Sequence, residues 1–216
     1  MDRLTAQDVV SFLSVLADKM PTHQERLREL DAQIGDGDLG VTVALGMKGM
    51  KDGLAELADA DVGTIISRSG MNFNRAAAST FGVIFATALM RAGQQVKGKS
   101  EITVEDLPRM CEAAVAGVAE RGGAQVGEKT VLDVLAPMAE VLKQAADQGS
   151  TLVQAVRNAA QCCREALELT KAMEGKHGRA GWFKEKSVGV PDPGCAAICL
   201  MMDCFHESVE QAADTG

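Results

Sequence analysis

The sequence predicts an all-α protein, an antiparallel helical bundle or closed helical barrel. Three observations carry that expectation. The chain has 32 alanines and 11 methionines, which favour helix. It has no tyrosine and only 3% aromatic residues, the class that enriches strands. Apolar residues recur three or four positions apart over most of its length, and strand-type alternation is nowhere sustained. At 216 residues it suits one domain, 1–216.

The elements follow in order. Thr5 is a candidate N-cap for a helix to Met20, with Val9, Phe12, Leu13 and Leu16 at helical spacing and Pro21 as its stop. A short charged helix runs from Thr22 to Leu30. Residues 31–40 read as a loop because glycines flank its acids. Val41 to Leu57 is the next helix, with Leu45, Met47, Met50 and Leu54 on its apolar side. Val62 to Ala77 is helical but interrupted by Gly63 and Gly70. Ser79 to Gly82 turns into a very apolar helix ending near Gly93. Further helices span Thr103 to Ala119, closed by Gly122 and Gly123, then Thr130 to Ala146 and Leu152 to Met173. A loop over 174–192 precedes a last helix that starts at Pro193, a residue suited to the first helical position. The count is eight or nine helices with short connections.

Composition excludes several function classes. A net charge of −8 argues against nucleic acid as a partner, since phosphate backbones need a basic patch. No apolar run reaches the ~20 residues of a membrane helix; the longest, Phe81 to Met90, contains Gly82 and Thr87. The N-terminus lacks the layout of a secretion signal. The 6 cysteines include no CxxC pair and read as small buried thiols in a reducing, cytoplasmic setting.

One motif matches a known pattern letter for letter. Residues 93–100, GQQVKGKS, fit the phosphate-binding GxxxxGK[ST] loop, with Lys99 and Ser100 in its key positions. That loop needs a strand before it and a helix beginning at the lysine. Here a helical pattern precedes it and a β-branched acidic stretch follows, so the segment reads as a flexible basic turn. The letter match at Lys99 and Ser100 keeps a P-loop kinase as an alternative reading.

A second cluster fits phosphoryl chemistry better. Asp31, Asp36 and Asp38 lie within eight residues, in a loop loosened by Gly35, Gly37 and Gly40. Carboxylates this close repel one another, and a cation would relieve them. Mg²⁺ takes oxygen ligands and shares them with substrate phosphates. On spacing alone, a solvated acidic turn fits equally well. Ser79, Thr80 and Gly82 form a hydroxyl-bearing turn at a helix start, suited to phosphate or to simple capping. Gly127 to Thr130 offers the same two readings. Arg179 sits in a polar loop and suits a phosphate or the surface. Asp192-Pro193-Gly194 is a tight turn, able to wall an adenine or just to start a helix.

Together these pieces resemble one family, the nucleotide-binding L subunit of dihydroxyacetone kinase. The matching segments are Leu30-Asp31, Gly35-Asp36-Gly37-Asp38-x-Gly40, Ser79 to Gly82, Gly127-x-Lys-Thr130-x-Leu-Asp133-x-Leu-x-Pro137, Gly178-Arg179-Ala180 and Asp192-Pro193-Gly194, in the family's order. The resemblance implies an antiparallel barrel of eight helices with the nucleotide, ATP or ADP, at one end. It implies two Mg²⁺ ions on Asp31, Asp36 and Asp38. It carries nucleotide contacts to Ser79, Thr80, Gly82, Gly123, Thr130, Arg179, Asp192, Pro193 and Gly194. Two departures stand out: Leu39 where many members have histidine, and Ala78-Ser79-Thr80-Phe81-Gly82 in place of a Gly-Gly-x-Ser-Gly loop.

The implied activity is a kinase acting on a small hydroxyketone. In the family the ketose is held covalently by a histidine of a separate K subunit. His23, His177 and His206 stand in structural or surface contexts instead, although His177 is near enough to Arg179 to be worth a test. A K-type partner is therefore expected. The family uses ATP as a substrate, or keeps ADP as a coenzyme that a phosphotransferase-system protein rephosphorylates. No side chain in the motif set reads as a dedicated general base. The remaining alternative is a non-catalytic helical module that binds a regulator according to its nucleotide state.

Overall fold

The structure, a computed structural model, describes residues 2–215. Its elements are β1 (Arg3–Thr5), α1 (Ala6–Lys19), α2 (Gln24–Asp31), α3 (Leu39–Asp52), α4 (Val62–Ala76), α5 (Thr80–Gln94), β2 (Glu101–Thr103), α6 (Leu107–Gly122), α7 (Leu132–Asp147), α8 (Leu152–Leu169), α9 (Ala180–Phe183) and α10 (Pro193–Thr215). Short 3₁₀ turns fill several connections.

Local chemistry sets the helix starts. Thr5 and Asp8 form a reciprocal capping box on α1, and Thr151 and Gln154 form another on α8. Asp61 caps α4 by accepting the Thr64 amide, and Ser79 caps α5 by accepting the Gly82 amide. α6 ends in a left-handed Gly123, a conformation that glycine adopts without a Cβ penalty.

The helices close a ring. α1 packs on α3, and each of α3, α4, α5, α6, α7 and α8 packs on the next long helix. α8 then packs on α10, which returns to α1. Because consecutive helices are neighbours, the chain runs up and down, and every second connection falls at the same end. The core fills the ring with Met47, Met50, Phe73, Phe85, Leu132, Val134, Cys163 and Cys199, all buried. A second cluster around Leu4, Ile65, Leu152, Val156 and Val209 is distinct from it.

Several details depart from the sequence reading. Arg3 to Thr5 pair antiparallel with Glu101 to Thr103, with Leu4 opposite Ile102. Three-residue strands are too short for alternation to reveal them. The helix expected from Thr103 opens with a 3₁₀ turn that Thr103 caps, and α6 proper starts at Leu107. The third helix breaks at Gly53, and Leu45 faces solvent rather than the core. The connection over 174–192 holds the one-turn α9.

The GxxxxGK[ST] match is a turn between α5 and β2, with no strand before it. The Lys99 ammonium is bound to the buried Asp106 carboxylate at 2.6 and 2.8 Å, and Arg109 shares that carboxylate. Gly98 donates its amide to Asp61 at 2.8 Å. Lys99 is thus a structural cation in a helix connection, which removes the P-loop alternative.

Phe73 is fully buried, 4.8 Å from Phe85 in an edge-to-face contact, and Phe81 stacks on Phe85 at 6.0 Å. Its ring fills the space above Gly46, where a Cβ would stand 2.4 Å from it. Phe73→Ala is expected to cost about 3–5 kcal/mol in urea unfolding, because the closed ring cannot collapse onto the void. A cost below about 1 kcal/mol would show that the ring relaxes.

Candidate functional site

A cleft of about 520 Å³ opens at one end of the ring. Its lining comes from the connections α2–α3, α4–α5, α6–α7 and α8–α10, every second one in the chain. Phe81 and Ile84 bring the aromatic cluster to its wall.

Asp31 is the last residue of α2, and Asp36 and Asp38 follow in the loop before α3. The buried Ile34 anchors the loop between them. One carboxylate oxygen from each aspartate lies within 4.8 Å of the others. Gly35 permits this, since a Cβ there would stand 2.2 Å from Asp31 Oδ1. Gly37 takes a left-handed φ of 73° that turns Asp36 and Asp38 toward Asp31. Burial pushes the Asp31 carboxyl up, Asp36 adds to that, and the Leu39 amide at 3.2 Å opposes it. Asp38 is also pushed up, first by burial and then by the Asp36 and Asp31 charges.

Positive charge arrives from the connection over 173–192, which lies across the cleft. Arg179 Nη2 stands 2.5 Å from Asp36 Oδ2 and 4.0 Å from Asp38 Oδ2. The donor set at the triad is all oxygen and carboxylate-rich, which suits Mg²⁺ rather than a soft metal. The residues present therefore fit a divalent cation. The Arg179 guanidinium supplies positive charge at two of these carboxylates.

Ser79 and Thr80 line the cleft at the start of α5, a helix long enough to present its amide ends and positive dipole end there. Thr130 lines it from the opposite connection. The buried Asp133 shapes that turn by accepting the Gly127 and Thr130 amides at 2.5 and 2.7 Å. Asp192, Pro193 and Gly194 line the cleft at the start of α10, where Asp192 accepts the Cys195 amide at 2.7 Å. The Cys195 thiol donates to the Thr130 carbonyl at 3.0 Å, tying the two turns together.

Ten of the twelve residues singled out in the sequence thus meet at one cleft. Gly82 and Gly123 do not line it. Gly82 donates its amide to the Ser79 cap of α5, and a Cβ on it would stand 2.4 Å from the Ala77 carbonyl; Gly123 terminates α6 between the lining residues Gly122 and Ala124.

Sequence reasoning assigned no role to Lys129, Glu128 and Asp133, and left His177 as structural or surface. His177 in fact lines the cleft and lies 2.6 Å from Glu128. The spacing Thr130-x-x-Asp133 is a legible capping signal. Nothing in the sequence shows that Lys129 is buried.

Asp192 is buried, and its carboxyl is pushed up to about 6, mainly by burial and against the Cys195 amide. A carboxyl raised in the fold favours the protonated chain, so its contribution is present below pH ~4 and is lost as pH rises through about 6. Asp192→Asn keeps an acceptor and removes the charge. Relative to the parent chain it should gain up to about 3 kcal/mol between pH 4 and pH 7 in denaturant unfolding. A stability difference independent of pH would contradict the burial argument.

The profile of the DAK2 domain matches residues 33–207. The ADP-binding subunit DhaL of the PEP-dependent dihydroxyacetone kinase of Escherichia coli is 32% identical over 199 residues, covering 92% of this chain and 95% of that protein. An L-erythrulose 1-kinase of Mycolicibacterium smegmatis is 31% identical over 95% of this chain, which spans 36% of that longer protein. The crystal structure of the dihydroxyacetone kinase from C. freundii, in complex with AMP-PNP and Mg²⁺, has the same fold. It matches 96% of this chain and 35% of its own, with a TM-score of 0.70 and 22% identity. The chain belongs to the DAK2-domain family, that of the dihydroxyacetone kinase L subunit.

Proposed function

We propose that this chain is the nucleotide-binding subunit of a dihydroxyacetone-type kinase. It would work with ATP, or with ADP kept as a coenzyme, and with two Mg²⁺ ions. The phosphoryl group would pass to a small hydroxyketone carried by a separate K subunit, with a phosphotransferase-system protein as donor in the coenzyme case. The carrying observation is the acid triad, paired with Arg179 and sharing one cleft with Ser79 and Thr80. The relatives named for ADP binding support it, as does a fold shared with a kinase solved with AMP-PNP and Mg²⁺. Six free cysteines fit a reducing cytoplasm.

In this reading Asp31, Asp36 and Asp38 hold the cations and orient them toward the phosphates. Bound Mg²⁺ supplies charge neutralisation on the transferring phosphoryl group. The α5 start offers backbone amides to phosphate oxygens. Arg179 lies near enough to the triad to contact both carboxylate and phosphate. The Asp192–Gly194 turn and the apolar Val131 wall the base. Positioning and fixed charge would supply most of the rate.

Calorimetric ADP titration with and without Mg²⁺ tests this. Binding should require Mg²⁺, weaken at least about tenfold in Asp36→Asn, and stay unchanged in Lys99→Ala. Mg²⁺-independent binding, or normal binding by Asp36→Asn, would reject the triad. Phosphoryl transfer once a K-type partner is added would separate the kinase from a nucleotide-state binding module.

A further inference from the structure

Lys129 stands inside the cleft region and has no place in the functional reading so far. It is 1% exposed, which is rare for a lysine. Its backbone takes a left-handed φ of 58°, an uncommon conformation for a non-glycine residue. Its ammonium donates to three main-chain carbonyls, of Met173 at 3.1 Å, Ser187 at 2.6 Å and Val190 at 2.7 Å. An ammonium has three N–H donors, so none remains for a phosphate.

The three carbonyls are informative in their positions. Met173 lies at one end of the strap over 173–192, and Ser187 and Val190 lie near the other. Between them hangs the stretch that carries Arg179 and Trp182. The remaining ties reinforce the same two ends. The Gly175 amide donates to Ser187 Oγ at 2.8 Å, and Gly189 donates to the Lys171 carbonyl at 2.7 Å. Within the span, His177 and Lys176 contact Glu128, the neighbour of Lys129, and Arg179 pairs with Asp36.

We propose that Lys129 is a positioning residue for nucleotide binding: its buried ammonium gathers both ends of the strap and so delivers Arg179 to the acid triad. A lysine buried at this cost is retained only where every donor is used. An apolar replacement would leave three carbonyls bare and release the strap. The lysine touches neither phosphate nor metal; it acts through Arg179. This inference rests on the nucleotide-site reading above.

The test is a double-mutant cycle on ADP affinity in Mg²⁺, with Lys129→Met, Arg179→Gln and the double variant. Each single change is expected to weaken binding about tenfold or more, and the double variant to bind no worse than the weaker single. Additive losses, or unchanged affinity in a folded Lys129→Met, would overturn the proposal and leave Lys129 a purely structural residue. Should Lys129→Met not fold, Lys129→Gln, which keeps an amide donor, takes its place in the cycle. A second readout needs no nucleotide. Trp182 is the chain's one tryptophan and is 79% exposed on the strap. Its fluorescence anisotropy should fall in the variant, and trypsin should cut faster after Lys184 and Lys186. If the parent chain binds no ADP, the nucleotide reading fails. Strap order then decides the anchor separately, and unchanged anisotropy and cleavage would sink it.

Discussion

Three carboxylate oxygens within 4.8 Å of one another are the constraint on which this end of the molecule depends. Each pair of like charges at that spacing repels by roughly 1 kcal/mol in bulk water and by several times more near a protein surface. Asp31 and Asp38 register this as carboxyls pushed up, by burial first and by their neighbours next. The arrangement persists because the chain brings compensation from elsewhere. The Leu39 amide points at Asp31, and Arg179 crosses from the far connection to Asp36. The acidic loop therefore cannot be understood as a local feature. Its geometry belongs jointly to α2, α3 and a strap some 140 residues further along the chain.

The ring explains how such distant pieces meet. An even, up-and-down order of long helices sends alternate connections to opposite ends. One end receives the acidic loop, the α5 cap, the 122–131 turn and the strap. Lys99, the Asp61 cap and the β1–β2 pair meet one another through other connections, with Val62 donating to the Lys99 carbonyl and Ala6 to the Ser100 carbonyl. A basic, glycine-bearing turn there has the letters of a phosphate loop but none of its surroundings. Its lysine is committed to a buried aspartate instead. Sequence motifs of this kind gain meaning only from the element that precedes them, and here that element is a helix.

The helices were legible because their signals are local. Thr5 with Asp8 and Thr151 with Gln154 can be read from three-residue spacings. The triad was legible as a density of acids among glycines, though not as a cation site rather than a solvated turn. The approach of Arg179 to this loop is a tertiary fact that no local pattern shows, and the closeness of Gly35 to Asp31 depends on how the loop turns. Leu45 misled because a helix with apolar residues on most sides does not declare which of them faces inward. Lys129 was illegible for a stronger reason. Composition places lysine at the surface, and its three acceptors are main-chain carbonyls that carry no side-chain signature.

The cleft also bears on where an acceptor substrate would be held. Covalent capture of a carbonyl compound needs a free amine or imidazole. Among the residues that line the cleft, two have the right chemistry, Lys129 and His177. The lysine's donors are all spent on the strap, and the imidazole lies 2.6 Å from Glu128. The remaining lining is acidic, hydroxylic, apolar or guanidinium, suited to phosphates and cations rather than to a ketone. Under the proposed function a second surface would bring the acceptor to the open end of the ring. That is the role the proposed function gives to a separate subunit.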